Sequence, residues 1–547
     1  MNRGFALLSI VFVVIGAVAG GLFGRLPSRI SAESGMTAER LLSDYKEALN
    51  VINDSYSGPI DQEKATDSAM QSMLWTLDPH SSFFSREELR KLDEEQSSQF
   101  FGIGVSILQH RGGVFVQSVI PNTPADKAGL HYGDRFYSVE GKDAKDWSSS
   151  EVSKNVRGER GTTVKVQIER VGSAAPLDFE IVRGGVPLPS IRNYFMLPNS
   201  IGYVGLTGGF QMTTSEELSL AIADLKKKGM KSMILDLRGN PGGILEQAVG
   251  VVSKFIPTGQ TVVSVGKGSG AQKERELKAT GGNPETFPLM VMINGGSASA
   301  SEIVAGAVQD YDRGVIVGSD SFGKGLVQRV FRLPYGTGIT LTTARYYTPF
   351  GRSLQRDYSN GSIYDYYTHG EDQPGVADSD VKPKPAGSPV TTANGRILFG
   401  GRGIEPDVKA DTPAPSPLRG RIGEAAFFFV RQLVAGKIAG FESYKVEKQN
   451  FKALVMPNEF VITDKLFESF RTFSAADKAN GLSAVNISSQ VEYAKTRLRE
   501  EIVTANYSNE AGVQILLETD PQILKAIEAM PQAGTLAATA PLGGIMN

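Results

Sequence analysis

A serine and a lysine in one stretch of the chain, Ser299 and Lys324, have the surroundings that hydrolytic chemistry needs. Ser299 follows the apolar run 289–293 and precedes apolar residues at three-to-four spacing, which predicts a strand, a turn and a helix. Serine at such a turn is exposed, and free amides at the helix start can hold an anion. Lys324 lies between two glycines, where burial would lower the pKa of its amine. No histidine occurs from position 132 to 368, so lysine is the natural base.

Two other interpretations account for the same residues. Ser299 and Glu302 have the spacing of a capping box, in which each residue hydrogen-bonds to the other's backbone at a helix start. The run from Gly318 to Lys324 matches most of a phosphate-binding loop. However, Gly325 stands where that loop needs a magnesium-binding serine or threonine, and the following residues alternate as in a strand. The phosphate loop is therefore disfavoured, while the capping box stays open.

Several short blocks occur in the order found in the carboxyl-terminal processing proteases, which are serine peptidases with a Ser/Lys catalytic pair. The blocks are LDPHS (77–81), DLRGNPGG (236–243), SASASE (297–302), FGKGLVQ (322–328), YTPFGRS (347–353) and GIEPDV (403–408). The chain resembles this family from about residue 77 to residue 408. The resemblance implies an endopeptidase that cleaves proteins near their C-terminus through an acyl-enzyme. It places the nucleophile on Ser299, the base on Lys324 and a supporting glutamine on Gln328.

The proposed reaction sets requirements on the residues around the pair. A tetrahedral oxyanion needs two amide donors. The resemblance and the local sequence indicate the N–H of Ala300 and one N–H from the turn formed by Gly242 and Gly243. The Lys324 amine must be neutral, so its pKa must lie several units below that of ordinary lysine, and no acidic residue within 322–327 opposes this. Gln328 can hydrogen-bond the amine without adding charge.

Residues 96–185 change to short strands and turns, and this region resembles a PDZ domain. The resemblance assigns carboxylate binding to the loop Phe101, Gly102, Ile103, Gly104 and Val105. Glycines at 102 and 104 let backbone amides point at a terminal carboxylate, and the strand beyond can pair with a peptide. A Gly-x-Gly turn on its own is more often only a tight turn. We expect protein or peptide substrates with free, apolar C-termini to bind here.

The expected fold is a multidomain α/β protein. Strands and helices alternate through the peptidase core, whose sites should lie at the carboxyl ends of strands. The expected order is a membrane anchor or signal segment (1–27), an N-terminal helical region (36–95), the PDZ domain (96–185), the peptidase core (186–411) with a loop insertion (357–394), a helical C-terminal region (418–530) and a disordered tail (531–547). The apolar run 425–433 is either a core helix or a contact to a second subunit.

Composition excludes some classes of function. With 547 residues, several domains are expected; the net charge of −2 and the lack of a long basic run do not indicate nucleic-acid binding. The absence of cysteine rules out disulfides and thiolate metal sites. The four histidines are scattered without metal-ligand spacing, so we expect no metal or cofactor, and surface or capping roles are the default for each. A catalytically silent PDZ scaffold at the membrane is the alternative function, which the joint presence of Ser299, Lys324 and Gln328 disfavours.

Residues 5–24 carry no charge, and twenty such residues match the thickness of a bilayer core. The alternative is a cleaved signal peptide with small residues at 17–19. An uncleaved anchor is favoured because the apolar character continues to Phe23. Together with the family resemblance, this predicts a single-pass protein of the bacterial inner membrane with its catalytic domains in the periplasm or otherwise outside the cytoplasm. The sequence leaves open whether an adaptor protein or a second copy of the chain joins it.

Overall fold

The computed structural model describes residues 37–266, 273–358, 366, 387–411, 414–452 and 454–539. The chain divides into two units, residues 1–72 and 73–547. The first unit contains α1 (Ala38–Ser55) and most of α2 (Gln62–Trp75). Thr37 caps α1 by accepting a hydrogen bond from the Arg40 N–H, and no residue of this helix is buried.

The predicted membrane segment, residues 5–24, lies outside the described residues. Within the ranges given above, no helix combines the length and the apolar character required to cross a bilayer.

The predicted PDZ region consists of short strands around its own apolar core. The elements that follow α2 are β1 (Ser82–Phe84), α3 (Arg86–Gln96), β2 (Gln99–Gly102), β3 (Val105–His110), β4 (Gly113–Val119), α4 (Pro124–Ala128), β5 (Arg135–Val139), β6 (Lys142–Asp143), α5 (Ser149–Val156), β7 (Thr163–Glu169), β8 (Leu177–Val182) and β9 (Gly184–Pro187). The sheet has the order β3-β4-β5-β7-β8, with β6 paired to β5, and β2 pairs with β9. A capping box between Ser148 and Glu151 starts α5, which buries Val152 and Val156 in the PDZ core.

The peptidase core is built on a largely parallel sheet. Its elements are β10 (Ile191–Leu197), β11 (Ile201–Leu206), α6 (Thr214–Lys227), β12 (Ser232–Asp236), α7 (Leu245–Val252), β13 (Thr261–Gly266), β14 (Lys273–Lys278), β15 (Leu289–Ile293), α8 (Ala300–Asp310), β16 (Val315–Gly318), β17 (Leu326–Arg332), β18 (Gly338–Tyr347), β19 (Val390–Thr391), β20 (Ile397–Leu398) and β21 (Val408–Lys409). The central order is β10-β11-β12-β15-β16-β21, parallel from β11 onwards. Residues of α6, α7 and α8 pack on one face, and β12 and β15 are buried throughout, as strands covered on both faces must be.

A second sheet, with the order β1-β18-β13-β14 and β17 paired to β18, lies beside the first. The predicted N-terminal helical region, 36–95, also contains the strand β1, because Ser82–Phe84 pairs with Thr340, Ile339 and Gly338 of β18. Pairing with a strand far along the chain overrides the local helical pattern there. The residues after Lys324 form β17 rather than a helix, which agrees with the rejection of a phosphate loop.

The described part of the C-terminal region is helical. It contains α9 (Pro417–Val434), α10 (Asp464–Ala476), α11 (Ala484–Ser488), α12 (Val491–Asn506), α13 (Asn509–Leu517) and α14 (Pro521–Thr539). Of the two alternatives for the apolar run 425–433, the core helix is the one observed, since Phe427 and Phe429 are fully buried. Phe115 and Tyr132 of the PDZ domain belong to the same apolar cluster, so the PDZ domain packs against α9.

The prediction of a disordered tail from residue 531 is wrong as far as residue 539. These residues complete α14, and Ala533 is buried in the cluster that covers the second face of the central sheet. Small side chains allow the helix to approach the sheet closely, so this alanine-rich segment finds a packed position, with Leu536 against the same cluster. Residues 540–547 lie outside the described residues.

Candidate active site

Ser299 stands at the turn between β15 and α8 with an unusual backbone conformation. Its φ is 56° and its ψ is −112°, values that a residue with a side chain adopts rarely and that cost about 1–3 kcal/mol. The surrounding turn holds this conformation: the Ser299 N–H donates to Glu302 Oε2 at 2.8 Å, and the Ala298 N–H donates to the Asn240 carbonyl at 3.0 Å. The side chain of Ser299 is thereby presented to a cavity.

Glu302 connects the serine turn to the lysine loop. Its fully buried carboxylate accepts hydrogen bonds from the Ser299 N–H, the Ser321 hydroxyl, the Gly323 N–H and the Lys324 N–H, at 2.8, 2.6, 2.7 and 2.9 Å. The bond to the Ser299 N–H is the one that a capping box predicts. The capping and catalytic interpretations are therefore compatible, because the same carboxylate caps the helix and fixes the loop that carries Lys324.

The Lys324 amine meets opposing influences on its pKa. Burial lowers the pKa below the ordinary lysine value, and the carboxylates of Glu302 and Asp78 partly oppose this. The expectation of no opposing acid holds for 322–327 only, since the fold brings both carboxylates from elsewhere in the chain. Burial also raises the pKa of Glu302 to about 7, against the hydrogen bonds that favour its ionised form.

Ser299, Lys324 and Gln328 line one cavity of about 980 Å³. Apolar side chains form much of its wall, among them Ile244, Leu277, Ile303, Leu326 and Val327. Among the described residues, Gln328 Nε2 is buried without a hydrogen-bond partner. The cavity is large enough for several residues of an extended peptide.

The three candidate oxyanion donors are not equivalent. The Gly242 N–H already donates to Asn240 Oδ1 at 2.9 Å. Within the described part of the chain, the N–H groups of Gly243 and Ala300 have no acceptor. A Cβ on Gly242 would lie 2.7 Å from the Ser299 Cβ and 3.0 Å from the Ala300 nitrogen, so this loop touches the serine turn directly.

Tyr346 is a site residue that the sequence analysis missed. Its hydroxyl donates to the Lys324 carbonyl, and its side chain borders the same cavity as Ser299. Complete burial raises the pKa of the phenol well above its ordinary value, and the charge of Glu302 acts in the same direction. Tyr346 therefore stays protonated. The only sequence signal was its position directly before the 347–353 block.

His80 also borders the cavity, so the surface or capping role expected for it is wrong. Its Nε2 lies 2.7 Å from the Tyr366 hydroxyl, and its backbone N–H donates to Asp78 Oδ1 at 2.8 Å. Burial and the charge of Lys324 lower the pKa of His80 to about 4, so the ring is neutral near pH 7. No group of three or more metal-binding side chains occurs within the described ranges.

The predicted carboxylate-binding loop joins β2 to β3 in the PDZ domain. Phe101 and Gly102 pair with β9, and Val105 begins β3. The Ile103 carbonyl accepts from the Ala125 N–H at 2.7 Å. Gly104 has a φ of 89°, and a Cβ there would lie 2.3 Å from the Thr123 side chain, so only glycine fits this position.

A groove beside this loop has the geometry for a peptide strand. β3 pairs with β4 on one side, and its other edge has no strand partner among the described residues. α5 flanks that edge, where the Ser149 N–H donates to Gln109 Oε1 at 2.8 Å. An incoming peptide can therefore add to β3 and end at the glycine loop.

Comparison with known proteins adds two matches to protein families. The model of peptidase family S41 matches residues 200–366, and that of the PDZ domain matches residues 102–181.

Among individual relatives, the carboxy-terminal-processing protease of Bartonella bacilliformis is 34% identical over 350 residues, which cover 63% of this chain and 80% of that protein. The carboxy-terminal processing protease CtpA of Bacillus subtilis is 33% identical over 64% of this chain and 74% of its own length. A solved photosystem II D1 C-terminal processing protease is 26% identical, covers 69% of this chain and 94% of that chain, and has a TM-score of 0.35.

Proposed function

The chain belongs to the carboxy-terminal processing proteases of peptidase family S41, and we propose that Ser299 and Lys324 carry out its peptide-bond hydrolysis, with Gln328 in support. The protein is a serine peptidase with a PDZ domain, and proteins or peptides are its substrates. The shared cavity that Ser299, Lys324 and Gln328 line is the observation that carries the residue assignment.

In the first half of the reaction, Ser299 Oγ attacks the scissile carbonyl while the neutral Lys324 amine accepts its proton. The oxyanion that forms accepts hydrogen bonds from the N–H groups of Ala300 and Gly243, the two candidate amides without an acceptor among the described residues. The C–N bond then breaks, the protonated lysine gives its proton to the leaving amine, and the acyl-enzyme remains.

In the second half, a water molecule attacks the ester carbonyl with Lys324 again as the base. The Ser299 oxygen leaves and recovers a proton, and the new carboxyl terminus departs. Glu302 holds the two reacting segments in register through its four hydrogen bonds. Gln328 Nε2 is buried without a partner in the described structure, and the amide of this side chain hydrogen-bonds the Lys324 amine without adding charge beside it.

Labelling with a fluorophosphonate tests the nucleophile. The expected result is one modified residue, Ser299, and no labelling or proteolysis in a folded Ser299→Ala variant. Lys324→Arg should also be inactive, because arginine stays charged and cannot accept the proton. A modified peptide elsewhere, or more than a few per cent of activity in Ser299→Ala, contradicts the assignment and favours a silent peptide-binding scaffold.

The loop Phe101–Val105 and the open edge of β3 bind the free, apolar C-termini of substrates. The glycine loop supports this role, as does the edge of β3 that has no strand partner in the described part of the chain. One protein substrate is compared with the same protein extended by charged residues at its C-terminus, and a short reporter peptide serves as the control. The extension should weaken cleavage of the protein and leave the reporter unaffected. Equal cleavage of both proteins would show that the loop does not recognise the carboxylate.

We propose that residues 5–24 anchor the protein in the bacterial inner membrane, with the peptidase core in the periplasm or otherwise outside the cytoplasm. The uncharged twenty-residue run supports this location. Added protease should digest the PDZ domain and core in spheroplasts without lysis, while a cytoplasmic marker stays intact. Digestion only after lysis would contradict the location.

A further inference from the structure

The loop that carries Gly242 and Gly243 is anchored by a residue from the far end of the chain. Arg238 opens this loop. The guanidinium of Arg238 donates from Nε and Nη2 to Asp236, at 2.7 to 3.0 Å. From Nη1 it donates to Asp520 Oδ2 at 2.8 Å. One edge of the guanidinium is thus held by Asp236 at the end of β12, and the other by Asp520 in the segment that precedes α14.

The segment around Asp520 is itself held in place. Asp520 Oδ1 accepts from the Gln522 N–H at 2.8 Å, which caps α14. The Gln522 side chain accepts from Arg238 Nη1 at 2.6 Å and donates to the Ala410 carbonyl next to β21. The buried apolar face of α14 covers the side of the central sheet opposite to α6, α7 and α8. Asp520 is therefore a fixed point relative to the sheet.

Movement of Arg238 would reach the reacting atoms directly. The next residue, Gly239, donates its N–H to Asn294 Oδ1 at 2.9 Å, and Asn240 accepts from the Ala298 N–H and the Ser301 hydroxyl. These bonds join the glycine loop to the turn that carries Ser299. The alignment of the Gly243 and Ala300 amides depends on the position of the glycine loop relative to the serine turn. The Arg238 side chain fixes the glycine loop to the C-terminal helical region through Asp520.

We propose that Asp520 is a positioning residue for peptide-bond hydrolysis, which acts through Arg238 to align the oxyanion donors. The C-terminal helical region, which lies outside both matched family models, thereby takes part in the alignment of the active site. The inference rests on the proposed function.

The full-length protein with Asp520→Ala tests this role, and Asp520→Asn keeps an oxygen for the helix cap but removes the charge. Ser508→Ala is the matched control, because Ser508 caps the neighbouring α13 through the Ala511 N–H without touching the glycine loop. Melting temperature, kcat, KM and the inhibition constant of a peptide aldehyde are measured for each variant. The aldehyde forms a tetrahedral adduct with serine, so its affinity reports on the oxyanion donors.

We expect Asp520→Ala to lower kcat about tenfold, equivalent to about 1.4 kcal/mol of activation free energy, with KM within about twofold. Its affinity for the aldehyde should fall by a similar factor, and the pH at which activity reaches half its maximum should not move. The kcat and the aldehyde affinity of Asp520→Asn should lie between those of Asp520→Ala and the wild type. Ser508→Ala should lower the melting temperature but keep kcat.

Unchanged kcat and aldehyde affinity in both Asp520 variants would overturn the proposal and leave Asp520 as a helix cap only. An equal loss of kcat in Ser508→Ala would do the same, because general destabilisation would then explain the effect. If Asp520→Ala does not fold, Asp520→Asn decides by the same criteria. Failure of the proposed function itself is distinguishable, because Ser299→Ala would then retain activity whatever the Asp520 variants do.

Discussion

Two glycines of the same loop allow the contact between that loop and the nucleophile to be tested by one added methyl group. Gly242 and Gly239 both have a positive φ, 98° and 69°. A Cβ on Gly239 would meet no atom within 4 Å, whereas a Cβ on Gly242 would lie 2.7 Å from the Ser299 Cβ and 2.8 Å from the Ala298 carbonyl oxygen. The two alanine substitutions therefore share backbone strain and differ in the collision with the serine turn.

The expected magnitudes follow from that difference. An alanine in a left-handed backbone conformation costs about 1–2 kcal/mol. For Gly239→Ala this cost is the only expected decrease in the free energy of unfolding. Gly242→Ala adds about 1–3 kcal/mol for overpacking, to give about 2–5 kcal/mol. The 2.7 Å approach is about 0.7 Å shorter than the 3.4 Å at which ordinary contact begins. A displacement near 1 Å at a reacting group costs about a hundredfold in rate, so kcat should fall by roughly that factor.

The assay measures kcat and KM on a soluble peptide, together with urea unfolding of both variants. Gly239→Ala should keep kcat within a few-fold of the wild type. If the two variants lose kcat equally, strain in the loop rather than contact with Ser299 controls the rate. If Gly242→Ala keeps full activity, the loop does not approach the nucleophile as described.

The remaining predictions concern Glu302, Lys324 and Gln328. Glu302→Gln replaces one of the two accepting oxygens with a donor. At least one backbone N–H of Ser299, Gly323 or Lys324 then loses its acceptor, and kcat should fall about a hundredfold. The charge of Glu302 raises the pKa of Lys324, so the pH profile of the remaining activity of Glu302→Gln should shift to lower pH. An unchanged kcat and an unchanged pH profile would refute both the structural and the electrostatic role of Glu302. In the wild type, activity should rise from pH 6 towards 8–9, since burial lowers the pKa of Lys324 and the base must be neutral; a profile that is flat over this range excludes lysine as the base. Gln328→Leu should lower kcat without loss of stability in urea, because it removes a buried amide that has no partner among the described residues; destabilisation would assign Gln328 a structural role instead.

Local sequence patterns were enough to predict the elements that present the nucleophile. The apolar run and the three-to-four spacing around Ser299 predicted β15, the turn and α8, because side chains four residues apart along a helix share one face whatever the rest of the fold does. The same holds for β17, whose alternation predicted a strand and, together with Gly325, disfavoured a phosphate loop. These elements depend on residues that are near neighbours in the chain, so the local pattern of apolar and polar residues predicts them.

Tertiary structure alone decided which distant groups surround the serine and the lysine. Asp78 and His80 reach Lys324 from the N-terminal side, and Asp520 reaches the glycine loop from the opposite end of the chain. The double role of Glu302 was hidden for the same reason: its cap to Ser299 is local, but its bonds to Gly323 and Lys324 exist only because β15 and β16 are neighbours in the sheet. Strand order and helix packing bring these groups together, and no periodicity within a single segment encodes which segments become neighbours.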